Sequence, residues 1–202
     1  ANANEALPFR FGAYKEVDID FNNSGQWESL STGDRVWRLQ LVSEGALSLN
    51  FTFDEFFIPS GAMLHIYNER ETLGAYTSDN NQESGAFGTN LIAGDHVTLE
   101  YFEPLAEAGQ GSLGLKQIIH GYRDIMNTYP NKSALGGSGA CNINVACPTG
   151  IGWEDEISGA VRLVVGNGLC SGSMITDVPQ SGTPYVLTAN HCVTGSNPST
   201  YV

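Results

Sequence analysis

Ala46-Leu47-Ser48-Leu49-Asn50-Phe51-Thr52-Phe53 alternates apolar and polar side chains along its length. A period of two sends successive side chains to opposite faces of an extended chain, so this run marks a strand with one buried face. Upstream, Val36-Trp37-Arg38-Leu39-Gln40-Leu41-Val42 carries a looser form of the same pattern. Downstream, Met63-Leu64-His65-Ile66-Tyr67-Asn68 follows the turn signal Pro59-Ser60-Gly61, and His96-Val97-Thr98-Leu99-Glu100-Tyr101-Phe102 follows Gly94-Asp95. Gly74-Ala75-Tyr76-Thr77 is a shorter candidate, and residues 113–122 supply one more strand. Short strands recur with turn chemistry between them, and no run of helical period competes. Residues 1–125 are therefore expected to form an N-terminal β-sandwich.

Composition agrees with that reading. The chain has 202 residues, 41% of them hydrophobic, with 24 glycines and only 15% charged residues. That is enough apolar material for a core, and it favours strands and turns over charged helices. The net charge is −13, with 18 acidic against 8 basic residues up to Lys132 and 4 against 1 beyond it. An acidic chain without a basic patch repels phosphate backbones, so nucleic acid is not expected as a partner. No apolar run approaches the roughly 18 residues needed to cross a bilayer, so no membrane span is expected. No signal peptide is visible, and Ala1-Asn2-Ala3-Asn4 reads as a terminus left by processing.

Residues 126–140 change character. Ser133-Ala134-Leu135-Gly136-Gly137-Ser138-Gly139 is a Gly/Ser-rich linker, a place where proteases cut. Strand patterns resume in residues 141–202, at 157–165, 169–176 and 184–188. All four cysteines lie here: Cys141, Cys147, Cys170 and Cys192. Four cysteines allow three pairings. The Cys141-x5-Cys147 spacing does not match zinc sites, and His191 beside Cys192 is poorly placed for two tetrahedral ligands. Disulfides are expected, with no metal and no cofactor. Disulfides point to an oxidising compartment and hence to export.

The chemistry is carried by Leu187-Thr188-Ala189-Asn190-His191-Cys192, with Leu169-Cys170-Ser171-Gly172-Ser173-Met174-Ile175 upstream. Together, in this order and at this separation, they resemble the chymotrypsin/trypsin serine protease family. The resemblance implies that His191 is the catalytic general base and that Cys170 bridges to Cys192. It also implies that residues 141–202 hold the first strands of a chymotrypsin-like β-barrel, completing an all-β fold class. A serine hydroxyl is a weak nucleophile until an imidazole takes its proton, and the same ring then protonates the leaving amine. Such a bridge would pin the histidine turn to the neighbouring strand, and a loop of this length should add about 3 kcal/mol.

A narrower resemblance lies just upstream. Ser138-Gly139-Ala140-Cys141-Asn142-Ile143-Asn144-Val145-Ala146-Cys147-Pro148 is similar to the mature start of bacterial lysyl endopeptidases, and Ile157-Ser158-Gly159-Ala160-Val161 to their first strand. It covers about 138–202. It implies a secreted bacterial endopeptidase made as a precursor, with cleavage after lysine. Cys141 and Cys147 would then bridge to a further part of the protein, with a local Cys141–Cys147 bridge as the alternative. Residues 1–125 become a propeptide-like domain, and Lys132-Ser133 a processing site in the linker.

The chain departs from the family in one respect. No Gly-Asp-Ser-Gly-like motif or suitable aspartate follows His191, and Asp155, Asp177, Ser171 and Ser173 fit no triad position. By itself this chain is expected to be inactive, with the remaining C-terminal part of the same protein as a second chain and a polypeptide as substrate. His65, His96 and His120 read as core histidines without chemistry. The competing function is a non-catalytic extracellular binding or adhesion sandwich with a degenerate protease segment, using Trp27, Trp37, Tyr67 or Tyr76 as contacts.

Overall fold

A computed structural model describes residues 9–126, 128, 143, 145 and 147–202. Lys132, Ser133 and Cys141 lie outside the described residues. The chain runs through β1 (Phe9–Arg10), β2 (Gly12–Asp20), β3 (Gln26–Ser29), β4 (Arg35–Val42), β5 (Ser48–Phe57), β6 (Met63–Tyr67) and β7 (Thr72–Tyr76). It continues through β8 (Phe87–Gly88), β9 (Ile92–Ala93), β10 (His96–Glu103) and β11 (Ser112–Gly121). After residue 147 come helix α1 (Glu154–Gly159), β12 (Ala160–Val165), β13 (Gly168–Ile175), β14 (Tyr185–Thr188) and the one-turn helix α2 (Asn190–Val193). The fold is all-β.

Two antiparallel sheets share one core. The first has the order β3-β4-β10-β6-β7; the second is β2-β11-β5-β8, with β9 also paired to β5. Alternation decides what enters the core. Along β10, Val97, Leu99 and Tyr101 point inward; along β5, Leu49, Phe51 and Phe53 do. Trp37 lies in the same cluster at 0% exposure, so it is a core residue and not a contact surface. Its indole donates to the Ser24 carbonyl at 2.9 Å, which satisfies the polar end of a buried ring.

Glu103 continues the inward row of β10 and is the one charged residue there that needs a partner. Arg35 supplies it through Nε at 2.5 Å, and the Tyr101 hydroxyl donates from 3.3 Å. The Arg35 guanidinium in turn stacks on Trp27, 4.2 Å from the ring centroid. Burial first, and then the neighbouring Glu103 carboxylate, push the Tyr101 hydroxyl pKa up, so it stays a donor.

β2 was not among the expected strands. Its Val17 and Ile19, followed by Phe21, nonetheless alternate and pack on the shared core, and its pairing with β11 shifts register between Leu115 and Gln117. The predicted strand over 157–165 is also divided. Glu154-Asp155-Glu156 open α1, where carboxylates suit the helix N-terminus, and the strand begins only at Ala160.

The outer face of the second sheet departs most from expectation. Ser48 and Asn50, the polar half of the alternating run, are 2% and 4% exposed. A third sheet covers this face. It has the order β1-β13-β12, and β14 also pairs with β13. A second apolar cluster of Phe11, Leu91, Ile119, Ile125 and Val164 fills the space between, with Phe9 and Leu169 packed against it. Residues far apart in sequence thus join at Phe9↔Leu169 and Arg10↔Gly168.

Leu99→Ala would leave a cavity in the shared core. An expected loss of about 2–5 kcal/mol follows from large-to-small replacement at such a site. Urea unfolding followed by tryptophan fluorescence checks it; a loss under about 1 kcal/mol would contradict a single core spanning both sheets.

Candidate functional site

His191 sits in α2, immediately after β14. β14 pairs with β13 in the register Gly172↔Thr188, Ser173↔Leu187, Met174↔Val186 and Ile175↔Tyr185. Beyond that pairing, the Thr188 hydroxyl donates to the Ser171 carbonyl at 2.8 Å. The backbone then turns: the Cys192 amide bonds to Ala189 O at 3.0 Å, and the Thr194 amide to Asn190 O at 3.0 Å. Within this turn Cys192 points inward at 5% exposure while His191 faces solvent.

Cys192 is bonded to Cys170 of β13, with 6.0 Å between their Cα atoms. The bridge spans 22 residues and ties the turn to the middle strand of the third sheet. A ring nitrogen of His191 and the two sulfurs all lie within 4.8 Å of one another. Sulfurs committed to a disulfide are not thiolate ligands, so this grouping does not describe a metal site. Tyr201 supports the far end of the turn: its hydroxyl donates to Val193 O at 3.2 Å and meets Ser196 Oγ at 2.8 Å.

Among the described residues, no carboxylate pairs with His191. The Asp177 carboxylate accepts from the Ser181 hydroxyl at 2.6 Å and the Ser181 amide at 2.8 Å, closing the turn after β13. Those two bonds hold its pKa below the ordinary carboxylate value. Asp155 lies in α1, where its carbonyl accepts from Ser158. Ser171 and Ser173 are exposed on β13. Cys147 is exposed with a free thiol.

The other histidines differ from their expected core role. His96 is exposed and lies between Asp95 and Glu69, each at 3.0 Å. Asp95 first, and then Glu69, raise its pKa. His120 is half-buried. Its Nδ1 meets Ser43 Oγ at 2.8 Å, and Lys15 Nζ donates to the same oxygen at 2.8 Å. A serine–histidine contact is suggestive, but Ser43 is 4% exposed, and a buried hydroxyl without access does not attack a substrate. Here the network satisfies buried polar groups. His65 lies on β6 opposite Glu100.

Trp27 is 36% exposed and lines a 250 Å³ hollow with Asp20, Arg35 and Glu55. Tyr67 is half-buried, and its hydroxyl donates to Glu100 at 3.1 Å. Tyr76 stacks edge-on against Phe87. These aromatics do not converge on one surface with Trp37, which is buried.

Comparison with known proteins gives two kinds of finding. The family described as lysyl endopeptidase, C-terminal domain, matches residues 135–202. This stretch, which contains β12, β13, β14 and α2, is therefore related to lysyl endopeptidases. Among solved structures, the Aeromonas hydrophila PliG, a periplasmic lysozyme inhibitor of g-type lysozyme, overlaps 55% of this chain and 86% of its own at 12% identity and a TM-score of 0.23. The exo-beta-1,3-galactanase from Phanerochaete chrysosporium overlaps 54% of this chain and 29% of its own at 11% identity and a TM-score of 0.25. Overlaps at such scores bear on neither fold nor function.

Two outcomes follow. Replacing both Cys170 and Cys192 by alanine opens a 22-residue loop and is expected to cost about 3 kcal/mol, read as a lower unfolding midpoint matched by reductant treatment of the parent. An unchanged midpoint would show that the bridge is dispensable. The second concerns pH. Burial, with a smaller contribution from Lys15, lowers the His120 pKa, so the unfolded chain takes up a proton that the folded chain refuses. Stability from this group is whole above about pH 6.5 and is lost as pH falls below it. The raised pKa of His96 acts oppositely, giving stability present at low pH and lost as pH rises. His120→Gln should flatten the fall in Tm between about pH 7.5 and 5, and His96→Gln should steepen it. Identical profiles for both variants would contradict these environments.

Proposed function

We propose that this chain belongs to a secreted serine endopeptidase precursor in which His191 is the general base. The single observation behind this reading is the solvent-facing ring of His191 on a turn whose next residue, Cys192, is buried and bridged to Cys170. The relation of residues 135–202 to lysyl endopeptidases supports it. A base that receives a serine proton and returns it to a leaving amine needs an accessible ring on a rigid support, and this turn provides both.

In this reading the reaction is acyl transfer to serine followed by hydrolysis. His191 takes the hydroxyl proton as the oxygen attacks the peptide carbonyl, then donates it to the amine that departs; water repeats the sequence on the ester. The serine and the orienting carboxylate come from chain beyond these residues. β12, β13 and β14 are then the opening strands of a chymotrypsin-like barrel. Cleavage after lysine is the expected specificity, residues 1–125 form the propeptide-like domain, residues 126–140 the linker, and Lys132-Ser133 the site of maturation. The disulfide fits an oxidising, extracellular setting.

The test uses the full gene product. A serine-directed phosphonate should label one serine, and His191→Ala should abolish labelling and reduce cleavage of a lysyl peptide by a factor of about 10⁴ or more. Active enzyme should begin at Ser133 on N-terminal sequencing. No labelled serine in the parent protein would overturn the catalytic assignment in favour of a binding sandwich, and an active enzyme beginning well upstream of Ser133 would overturn the maturation site.

A further inference from the structure

We propose that the sandwich grips the protease-related segment through the β12–β13 hairpin tip, so that the two stay together as a noncovalent pair after the connecting chain is cut. The inference does not depend on whether His191 is catalytic. It rests on contacts between residues 11–125 and residues 164–200.

The grip begins at the tip Gly166-Asn167-Gly168. Asn167 engages through both backbone polar groups and its side-chain amide nitrogen. Its side-chain amide donates to Gly12 O at 3.0 Å, its backbone amide meets the Tyr14 hydroxyl at 3.3 Å, and its carbonyl accepts from the Phe11 amide at 3.0 Å. From β5, Asn50 Nδ2 donates to Gly166 O at 3.2 Å. Gly166 has a φ of +57° and lies so close to the Tyr14 hydroxyl that a β-carbon would collide with it. The tip therefore fits its seat in shape as well as in hydrogen bonding.

Around the tip the contact widens. β1 adds to β13 as an extra strand, which satisfies backbone groups of an otherwise open edge. β12 already occupies the other edge of β13, so β1 and β14 share the remaining one in tandem: β1 opposite Gly168–Leu169, β14 opposite Gly172–Ile175. Val164 and Leu169 complete an apolar cluster with Phe11, Ile119 and Ile125. A further contact joins Ser84 Oγ to Ser199 Oγ at 2.8 Å, where Gly88 meets the Thr200 backbone. Hydrogen bonds framing an apolar centre are the anatomy of a specific interface.

The observation that singles out a docking surface is the burial of Ser48 and Asn50 on the outward face of β5. Polar side chains there share the face with the apolar Phe11 and Ile119, so it offers both hydrogen-bonding and apolar material to the body laid on it.

The test keeps the chain whole until it has folded. A recognition sequence for a site-specific protease is inserted between Gly136 and Gly137, the purified protein is nicked, and sedimentation velocity is run without denaturant at micromolar concentration. The nicked parent should sediment as one species of the uncut mass and separate only in denaturant. Asn167→Ala on the tip and Asn50→Asp on the seat should each raise the fraction of separated pieces at least tenfold after nicking. Asn50→Asp places a carboxylate against the Gly166 carbonyl while leaving the sandwich core untouched, and near-ultraviolet circular dichroism confirms that the core persists. Separation or precipitation of the protease-related piece from the nicked parent would overturn the proposal. So would variants that hold together as well as the parent. Failure here leaves the phosphonate test of His191 unaffected, and the converse holds.

Discussion

Burial of the β2-β11-β5-β8 sheet on both of its faces is the constraint from which the rest of the geometry follows. Its inner face needs the β3-β4-β10-β6-β7 sheet to remove Leu49, Phe51 and Phe53 from water. Its outer face needs the third sheet to cover Phe11 and Ile119. Apolar burial of this kind is non-directional, so it brings the layers together without fixing their register. Register comes from polar contacts: Arg35 with Glu103 inside, and Asn167 with the backbone of β2 outside. The ion pair at Glu103 is half shielded because Arg35 remains a third exposed, which limits its worth in stability while still fixing the end of β10.

The histidine turn depends on the same arrangement one layer out. β13 is the middle strand of the third sheet, held by β12 on one edge and by β14 and β1 on the other. A disulfide to such a strand restrains α2 more firmly than a bridge to a loop would. The short helix cannot supply rigidity by itself, since a single turn makes few internal hydrogen bonds. His191 is thus placed by its neighbours: β14 delivers it, Cys192 anchors it, and Tyr201 closes the far side.

Much of this was readable in the residues. Alternation along Ala46–Phe53 and His96–Phe102 announces half-buried strands, and the structure keeps Leu49, Phe51, Phe53, Val97, Leu99 and Tyr101 inside. The Cys170 and Cys192 pairing follows the family resemblance and is present. What escaped is instructive. β2 is absent from the expected strands although Val17, Ile19 and Phe21 keep a period of two and pack on the core. The acidic run before Ala160 nucleates a turn of helix in place of strand. Ser48 and Asn50 read as solvent-facing because a period of two records only that two faces differ, not what lies against the polar one. Of the groups around His96 and His120 only Asp95 is a sequence neighbour; Glu69, Ser43 and Lys15 come from distant parts of the chain.

The pairing of Phe9 with Leu169 has a consequence for how the molecule assembles. The sandwich strands from Gly12 to Gly121 contact one another without help from the later chain, so they are able to collapse during synthesis. The β1–β13 ladder cannot zip until about 160 further residues have emerged, and Val202 meets Val164 later still. With those strands formed, Phe11 lies beside Tyr122, so the loop left to close runs only from Tyr122 to Leu169. The third layer is thus the last to be synthesised in full, and it packs on a sheet whose strands all precede β12 in the chain.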